Sequence, residues 1–274
     1  MEERLDALGM LDLMVRPGFC VKDNIIVKAN QAAAGLMLLP GTDIRTFLHT
    51  GETEYADAVD LSHQEFYEKL VESDTIPTTS QIGPGEFADA MEQIVSAGDT
   101  AVVVTISGKL SGTYQSAVIA ASEYPDRVFV VDSENVSLGM RILVQYGLSL
   151  LEKGYTAQQI AAELDMQKKH IQIIALLDTL EYLKKGGRIS SAVALAGSLL
   201  SIKPVISAQE GEIIMVGKAR GSRQGNNLLR QLVEKSGGIN FEKPFCLAYS
   251  GLSDVLLQKY IADSAELWQG KTDA

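Results

Sequence analysis

The sequence predicts an α/β protein of two domains, a parallel-sheet domain followed by a mixed or antiparallel-sheet α/β domain. Three observations carry that prediction. Ala101 to Ile106 and Val128 to Val131 are unbroken apolar runs rich in β-branched residues, the pattern of strands buried on both faces. A glycine-containing loop and a helical stretch from about Thr113 to Ser122 join them, and strand, loop, helix, strand is the βαβ unit of a parallel sheet. Farther on, Ile202 to Ser207 and Ile213 to Val216 flank Gln209-Glu210-Gly211, which reads as an antiparallel hairpin.

Taken in order, residues 1–56 stand apart from the rest. Phe19-Cys20-Val21 and Ile25-Ile26-Val27 surround Lys22-Asp23-Asn24 as two halves of a hairpin, and Asn30 is placed to cap a short helix through Ala32-Ala33-Ala34. This piece is similar to the opening of a sensory PAS domain at about half its length; an irregular N-terminal extension is the other reading. From Asp57 the signals become regular. Ser62 and Glu65 form a capping box ahead of Phe66, Leu70 and Val71. Pro77 closes that helical region, the polar loop Thr78 to Gly83 follows, and Pro84 opens a helix carrying Phe87, Met91, Ile94 and Val95. Thr156 and Gln159 make a second capping box, for a helix running toward Lys168. Next come a strand over Ile171 to Leu177 and a short helix stopped by Gly186. The hairpin, a helix near Asn226 to Lys235, a strand at Phe245 to Ala248 and a last helix to Trp268 complete the chain. The parallel-sheet domain is expected at residues 57–165 and the second at 166–274.

Composition narrows the function classes. The 274 residues carry a net charge of −11, which disfavours attraction to nucleic acid or anionic lipid headgroups. No apolar run approaches the roughly 20 residues of a membrane span, and Met1-Glu2-Glu3-Arg4 does not open a signal peptide. Cys20 and Cys246, far apart in an acidic chain, read as reduced thiols. These features predict a cytoplasmic protein.

Two hydroxyl-rich segments are the candidate site. Ser107-Gly108-Lys109-Leu110-Ser111-Gly112-Thr113 follows a buried strand and leads into a helix, where ligands of open parallel sheets bind. Unpaired N–H groups and the positive dipole end at the helix start favour an anion, Ser107 and Ser111 offer hydroxyls, and Gly112 permits close backbone approach. Helix capping by Ser111 or Thr113 alone is the plainer alternative. Thr78-Thr79-Ser80-Gln81 is a second cluster, either converging on the same point or forming an ordinary polar turn. Evidence for catalysis is weaker. Gly108-Lys109-Leu110-Ser111-Gly112 has the wrong spacing for a nucleophile elbow, no phosphate-binding glycine string is present, and His49, His63 and His170 lack partners at metal or triad spacing. Neither a cofactor nor a metal is expected. Lys184, Lys185 and Arg188 group around Gly186-Gly187, either to complement a helix end or to receive an acidic or phosphorylated partner.

Several strings together resemble the DegV family of bacterial fatty-acid-binding proteins. They are Phe66-Tyr67-Glu68-Lys69-Leu70, Ile76-Pro77-Thr78-Thr79-Ser80-Gln81 with Pro84-Gly85-Glu86-Phe87, and Lys109-Leu110-Ser111-Gly112-Thr113-Tyr114-Gln115-Ser116-Ala117. Val131-Asp132-Ser133 follows, then Asp178-Thr179-Leu180-Glu181-Tyr182-Leu183-Lys184-Lys185-Gly186-Gly187-Arg188-Ile189, then Ile202-Lys203-Pro204-Val205. The resemblance implies a DegV-like fold in which a long-chain fatty acid lies between two α/β domains. It also implies a non-enzymatic carrier that presents the carboxylate to a separate kinase subunit. By the same resemblance Thr78, Thr79 and Ser111, with the Gly112 backbone, hold the carboxylate, and Arg188 lies near the phosphorylated head or the kinase; the hydroxyls of Ser80 and Ser107 complete the candidate carboxylate site.

The chain also departs from the family. Its N-terminal segment has no T-D-S-type strand, and a terminal G-T-H-x-G-P-G-type loop, whose histidine helps to hold the carboxylate, is missing. The resemblance therefore implies a head-group site with one wall absent. Two alternatives stand beside the carrier: a truncated or fused regulatory fragment without lipid binding, and an enzyme acting on an acyl or phosphate substrate.

Overall fold

The computed structural model describes residues 21–22, 25–26, 47–50, 53–56, 60–72, 77–190 and 202–271. The chain separates into two compact units, Met1–Ile171 and Gln172–Ala274.

The first unit is built on a sheet of strands β1 (Val21–Lys22), β2 (Ile25–Ile26), β6 (Thr100–Thr105) and β7 (Val128–Asp132), in that order. β2, β6 and β7 run parallel, with Ala101 opposite Val128 and Thr105 opposite Asp132. The hairpin expected around Lys22-Asp23-Asn24 is present as an antiparallel pair, Val21 opposite Ile26, and it adds to the open edge of β6. A covered edge cannot pair with another chain. The helix expected at Ala32-Ala33-Ala34 and the remainder of the PAS-like reading lie outside the described residues.

Helices α2 (Pro84–Ser96) and α3 (Thr113–Ala121) cover one face of β6 and β7. Phe87, Met91 and Ile94 lie one helical turn apart on α2 and bury against Ala101, Val103, Ala117 and Val128. Each large side chain so buried contributes about 1.5–3 kcal/mol before entropy is counted. Alternation along the strand turns Val102 and Val104 to the other face, where α4 (Leu138–Glu152) and α5 (Ala157–Gln167) pack. The α4 helix is absent from the sequence reading, although Met140, Leu143, Val144, Gly147 and Leu151 recur at helical spacing and are buried.

Both capping boxes form. The Ser62 amide donates to Glu65 at 2.8 Å while the Glu65 amide donates to the Ser62 hydroxyl, at the start of α1 (His63–Glu72). Thr156 and Gln159 exchange the same two bonds ahead of α5. A second, antiparallel sheet joins β3 (Phe47–Thr50), β4 (Thr53–Ala56) and β5 (Thr78–Thr79). This corrects the expectation that residues 1–56 stand apart. Leu48 and His49 pair with Thr79 and Thr78, and the Lys69 ammonium sits 5.5 Å from the centre of the Tyr55 ring.

The second unit holds an antiparallel sheet of β10 (Glu212–Arg220), β9 (Ile202–Gln209) and β8 (Ile174–Leu176). The β9–β10 turn is made by Glu210 and Gly211, both with positive φ, as a two-residue hairpin matched to strand twist requires. Helix α6 (Glu181–Lys185) ends at Gly186, and α7 (Gly221–Lys235) lies on the sheet. The contact is close, since a Cβ at Gly225 would come within 2.8 Å of Leu176 Cδ1. Helices α8 (Val255–Asp263) and α9 (Ala265–Trp268) follow, joined by a Trp268 Nε1–H bond to the Ser264 hydroxyl at 2.9 Å. Phe245 to Ala248, expected as a strand, is not one. An apolar run becomes a strand only where a neighbour supplies hydrogen bonds, and β8 pairs with β9 alone among the described residues.

Lys168, 8% exposed, ties the β7–α4 connection to the end of α5. Its ammonium lies 3.0 Å from Glu134 and 2.6 Å from Asp165. Burial works against the charge, but the bonds to Asp165 and Glu134 outweigh it and hold the Lys168 pKa above its ordinary value. A raised lysine pKa gives stability that is complete below the unfolded-state value, about 10.4, and is lost as pH rises through the folded value. Lys168→Met should therefore cost about 1–2 kcal/mol at neutral pH. In urea titrations the difference from the parent should hold to about pH 10 and shrink above it.

Candidate functional site

The β6–α3 loop is fastened from beneath by the end of β7. The Gly108 amide donates to both carboxylate oxygens of Asp132 at 3.2 Å, and Asp132 accepts a further bond from the Glu134 amide at 2.9 Å. The Ser107 amide donates to the Asn135 carbonyl at 2.9 Å, while the Ser107 carbonyl accepts from Leu110 and Ser111. Gly108 has little space around it, because a Cβ there would meet Tyr114 at 3.0 Å and Asp132 at 3.1 Å.

Ser107 is fully buried, and its hydroxyl accepts from the Lys109 amide at 3.2 Å, so it serves the loop's own turn. Ser111 stands just before Gly112, the N-cap of α3. Its hydroxyl accepts from the Thr113 amide at 3.2 Å and lies 2.9 Å from the Thr113 hydroxyl. These local bonds leave it capacity to spare. With buried Thr113 as donor to Ser111, Ser111 keeps its own proton for a ligand. Among the described residues no acceptor pairs with the backbone N–H of Gly112, Tyr114 or Gln115. These are the orphan donors of a helix start, where the macrodipole adds attraction for an anion.

Thr78, Thr79 and Ser80 are exposed. The first two are not loop residues, as the sequence suggests, but the edge strand β5 held by β3. Gln81 brings the two hydroxyl-rich segments together. A Cβ at Gly112 would collide with Gln81 Oε1 and lie 2.7 Å from its Cδ, so the Gln81 amide occupies the space a side chain at 112 would need. Arg188 belongs to the second unit. It is exposed there, its amide donating to Leu183 at 2.9 Å and its guanidinium to the Gly186 carbonyl, after Gly187 at φ +73°. In the same unit the Asp178 carboxylate meets the Lys203 ammonium at 2.5 Å, joining two of the motifs quoted above.

Sequence reasoning passed over three residues here. Gln81 was noticed without a role. The Thr105 hydroxyl is fully buried at the end of β6 with no partner, and Asn135 has a buried amide oxygen with none. Strand periodicity alone cannot separate a packed threonine from one awaiting a ligand or a water. A cavity of about 310 Å³ in the second unit, lined by Arg230, Glu234, Phe241 and Leu267, includes none of the residues singled out from sequence. Among the described residues no three His, Cys, Asp or Glu side chains are placed to share a metal, and no helix is long and apolar enough to cross a membrane.

These features define a two-unit α/β protein with a helix start at the carboxyl edge of a parallel sheet, its first amides without partners among the described residues. A family model described as an uncharacterised protein of the DegV family matches residues 47–267, and the chain belongs to that family. A DegV domain-containing protein of Caldanaerobacter subterraneus subsp. tengcongensis is 33% identical over 190 residues, which are 68% of this chain and 66% of that relative. The chain thus spans just under two thirds of that relative's length. A fatty-acid-binding DegV family protein from Thermus thermophilus is 30% identical, with a TM-score of 0.70 over 82% of this chain and 80% of its own. A stearic-acid-binding protein from Eubacterium ventriosum is also 30% identical, with a TM-score of 0.64 over 70% and 68%.

The Gln81–Gly112 junction can be tested without a ligand. Gly112→Ala should cost less than about 1.5 kcal/mol, because the obstructing atoms end a flexible side chain. It should cost less still in a Gln81→Ala background, giving a coupling of at least about 0.5 kcal/mol in a double-mutant cycle by chemical denaturation.

Proposed function

We propose that this protein is a cytoplasmic carrier that binds a long-chain fatty acid without reacting with it. On this reading the carboxylate sits at the start of α3, bonded by Ser111, the Gly112 amide and the hydroxyls of Thr78 to Ser80. The observation that carries the proposal is the junction of Gln81 with Gly112, beside three unpaired first-turn amides. Membership of the DegV family and the fatty-acid binding of the Thermus and Eubacterium relatives support it. The carrier's carboxylate is then the group a separate kinase subunit phosphorylates, with Arg188 as a contact for that partner.

Magnitudes divide the labour. Burying a sixteen-carbon tail at about 0.8 kcal/mol per methylene supplies roughly 12 kcal/mol before ordering costs. Each charge-assisted bond to the head adds about 1.5–3 kcal/mol. The tail therefore sets affinity, and the hydroxyls set where the carboxylate points.

Native mass spectrometry of the purified protein is the direct test. A bound species in the mass range of common fatty acids supports the carrier. Protein that stays empty after incubation with palmitate contradicts it, and turnover of an acyl substrate with no kinase present favours an enzyme. If the division of labour holds, Thr79→Ala and Ser111→Ala retain most of the bound lipid but slow its phosphorylation. Loss of all lipid from either single variant would show the tail is not dominant.

A further inference from the structure

The first turn of α4 carries an arginine with no role in the reading above. Arg141 is 6% exposed, and its Nε is buried without a hydrogen-bond partner. Among the described residues no carboxylate lies within ion-pair distance of its guanidinium. Three acids of the neighbouring segments are engaged elsewhere: Glu134 and Asp165 hold Lys168, and Asp132 holds the Gly108 and Glu134 amides. A buried cation without an anion is a costly arrangement, and a bound anion would remove that cost.

Position supplies the direction. Helical side chains lean toward the helix N-terminus, so Arg141 leans toward the carboxyl edge of the parallel sheet. The β6–α3 and β7–α4 connections meet on that edge, joined by the Ser107 amide and the Asn135 carbonyl. The end of β6 and the β7–α4 connection hold the two other buried side-chain polar atoms without partners among the described residues of the first unit, Thr105 Oγ1 and Asn135 Oδ1. Buried polar atoms left without partners are expected where a polar ligand or ordered water completes them: the Arg141 Nε–H and the Thr105 hydroxyl can donate to an anion, while the Asn135 amide oxygen accepts and needs a donor such as water.

We propose that the Arg141 guanidinium is the counter-charge for the anionic head of the bound ligand, a carboxylate. The proposal rests on the fatty-acid reading and adds to it the one full positive charge that the hydroxyls and amides at α3 lack. It makes two separable statements. Recognition of the head depends on charge through Arg141, and the ligand-free protein holds this arginine at a cost.

The test compares dodecanoate with dodecanol, binding each to the delipidated full chain by calorimetry. The parent should prefer the acid by about tenfold to a hundredfold, the range of one charge-assisted bond. Arg141→Met, which keeps the apolar stem, should lose most of that preference, and Arg141→Lys should recover part of it. Without ligand, Arg141→Met should melt no lower than the parent. If Arg141→Met retains the full preference, or melts well below the parent while empty, the arginine is structural and the proposal fails. If the parent binds neither compound, the carrier reading itself fails.

Discussion

The Asp132 carboxylate is the constraint on which the candidate site depends. It ends β7, beside the last residue of β6 in the parallel ladder, and takes both the Gly108 and the Glu134 amides. One charged acceptor thereby sets the course of two connections, the one leading into α3 and the one leading into α4. Bonds to an ionised acceptor are stronger than bonds between neutral groups, so a loop built this way keeps its shape without a ligand. Asp132 is thereby the anchor of both connections.

From that anchor the rest follows in sequence. Ser107 turns the chain, Ser111 accepts from the first amide of α3, and Gly112 stays bare so that Gln81 can lie against it from the Thr78–Gly83 segment. The result is a helix start with its amides open and hydroxyls on either side, next to buried polar atoms without partners. Such a surface is poorly satisfied when empty. On the proposed reading it receives the carboxylate of a chain whose apolar length supplies most of the binding free energy.

Much of this was legible in the sequence, where local chemistry decides the outcome. β-branched runs marked β6 and β7, reciprocal Ser–Glu and Thr–Gln pairs marked two helix starts, and Glu210-Gly211 marked a hairpin turn. The failures share a different cause. Thr78 and Thr79 became a strand only because β3 lies beside them, and Phe245 to Ala248 did not become one for want of a neighbour. Residues 47–56 looked irregular alone and acquire their role from pairing. Arg141 interrupts the apolar face of α4, and nothing in its sequence context tells a solvated arginine from a buried one. Partners remote in the chain decide each of these cases.

The central claim is that a fatty carboxylate sits at the start of α3. Nuclear magnetic resonance with carboxyl-labelled palmitate tests it most directly, by transfer of magnetisation from the labelled carbon to protein amides. The account predicts signals at Gly112 and at its neighbours in the first turn of α3. A bound palmitate whose carboxyl carbon contacts none of these amides would contradict it.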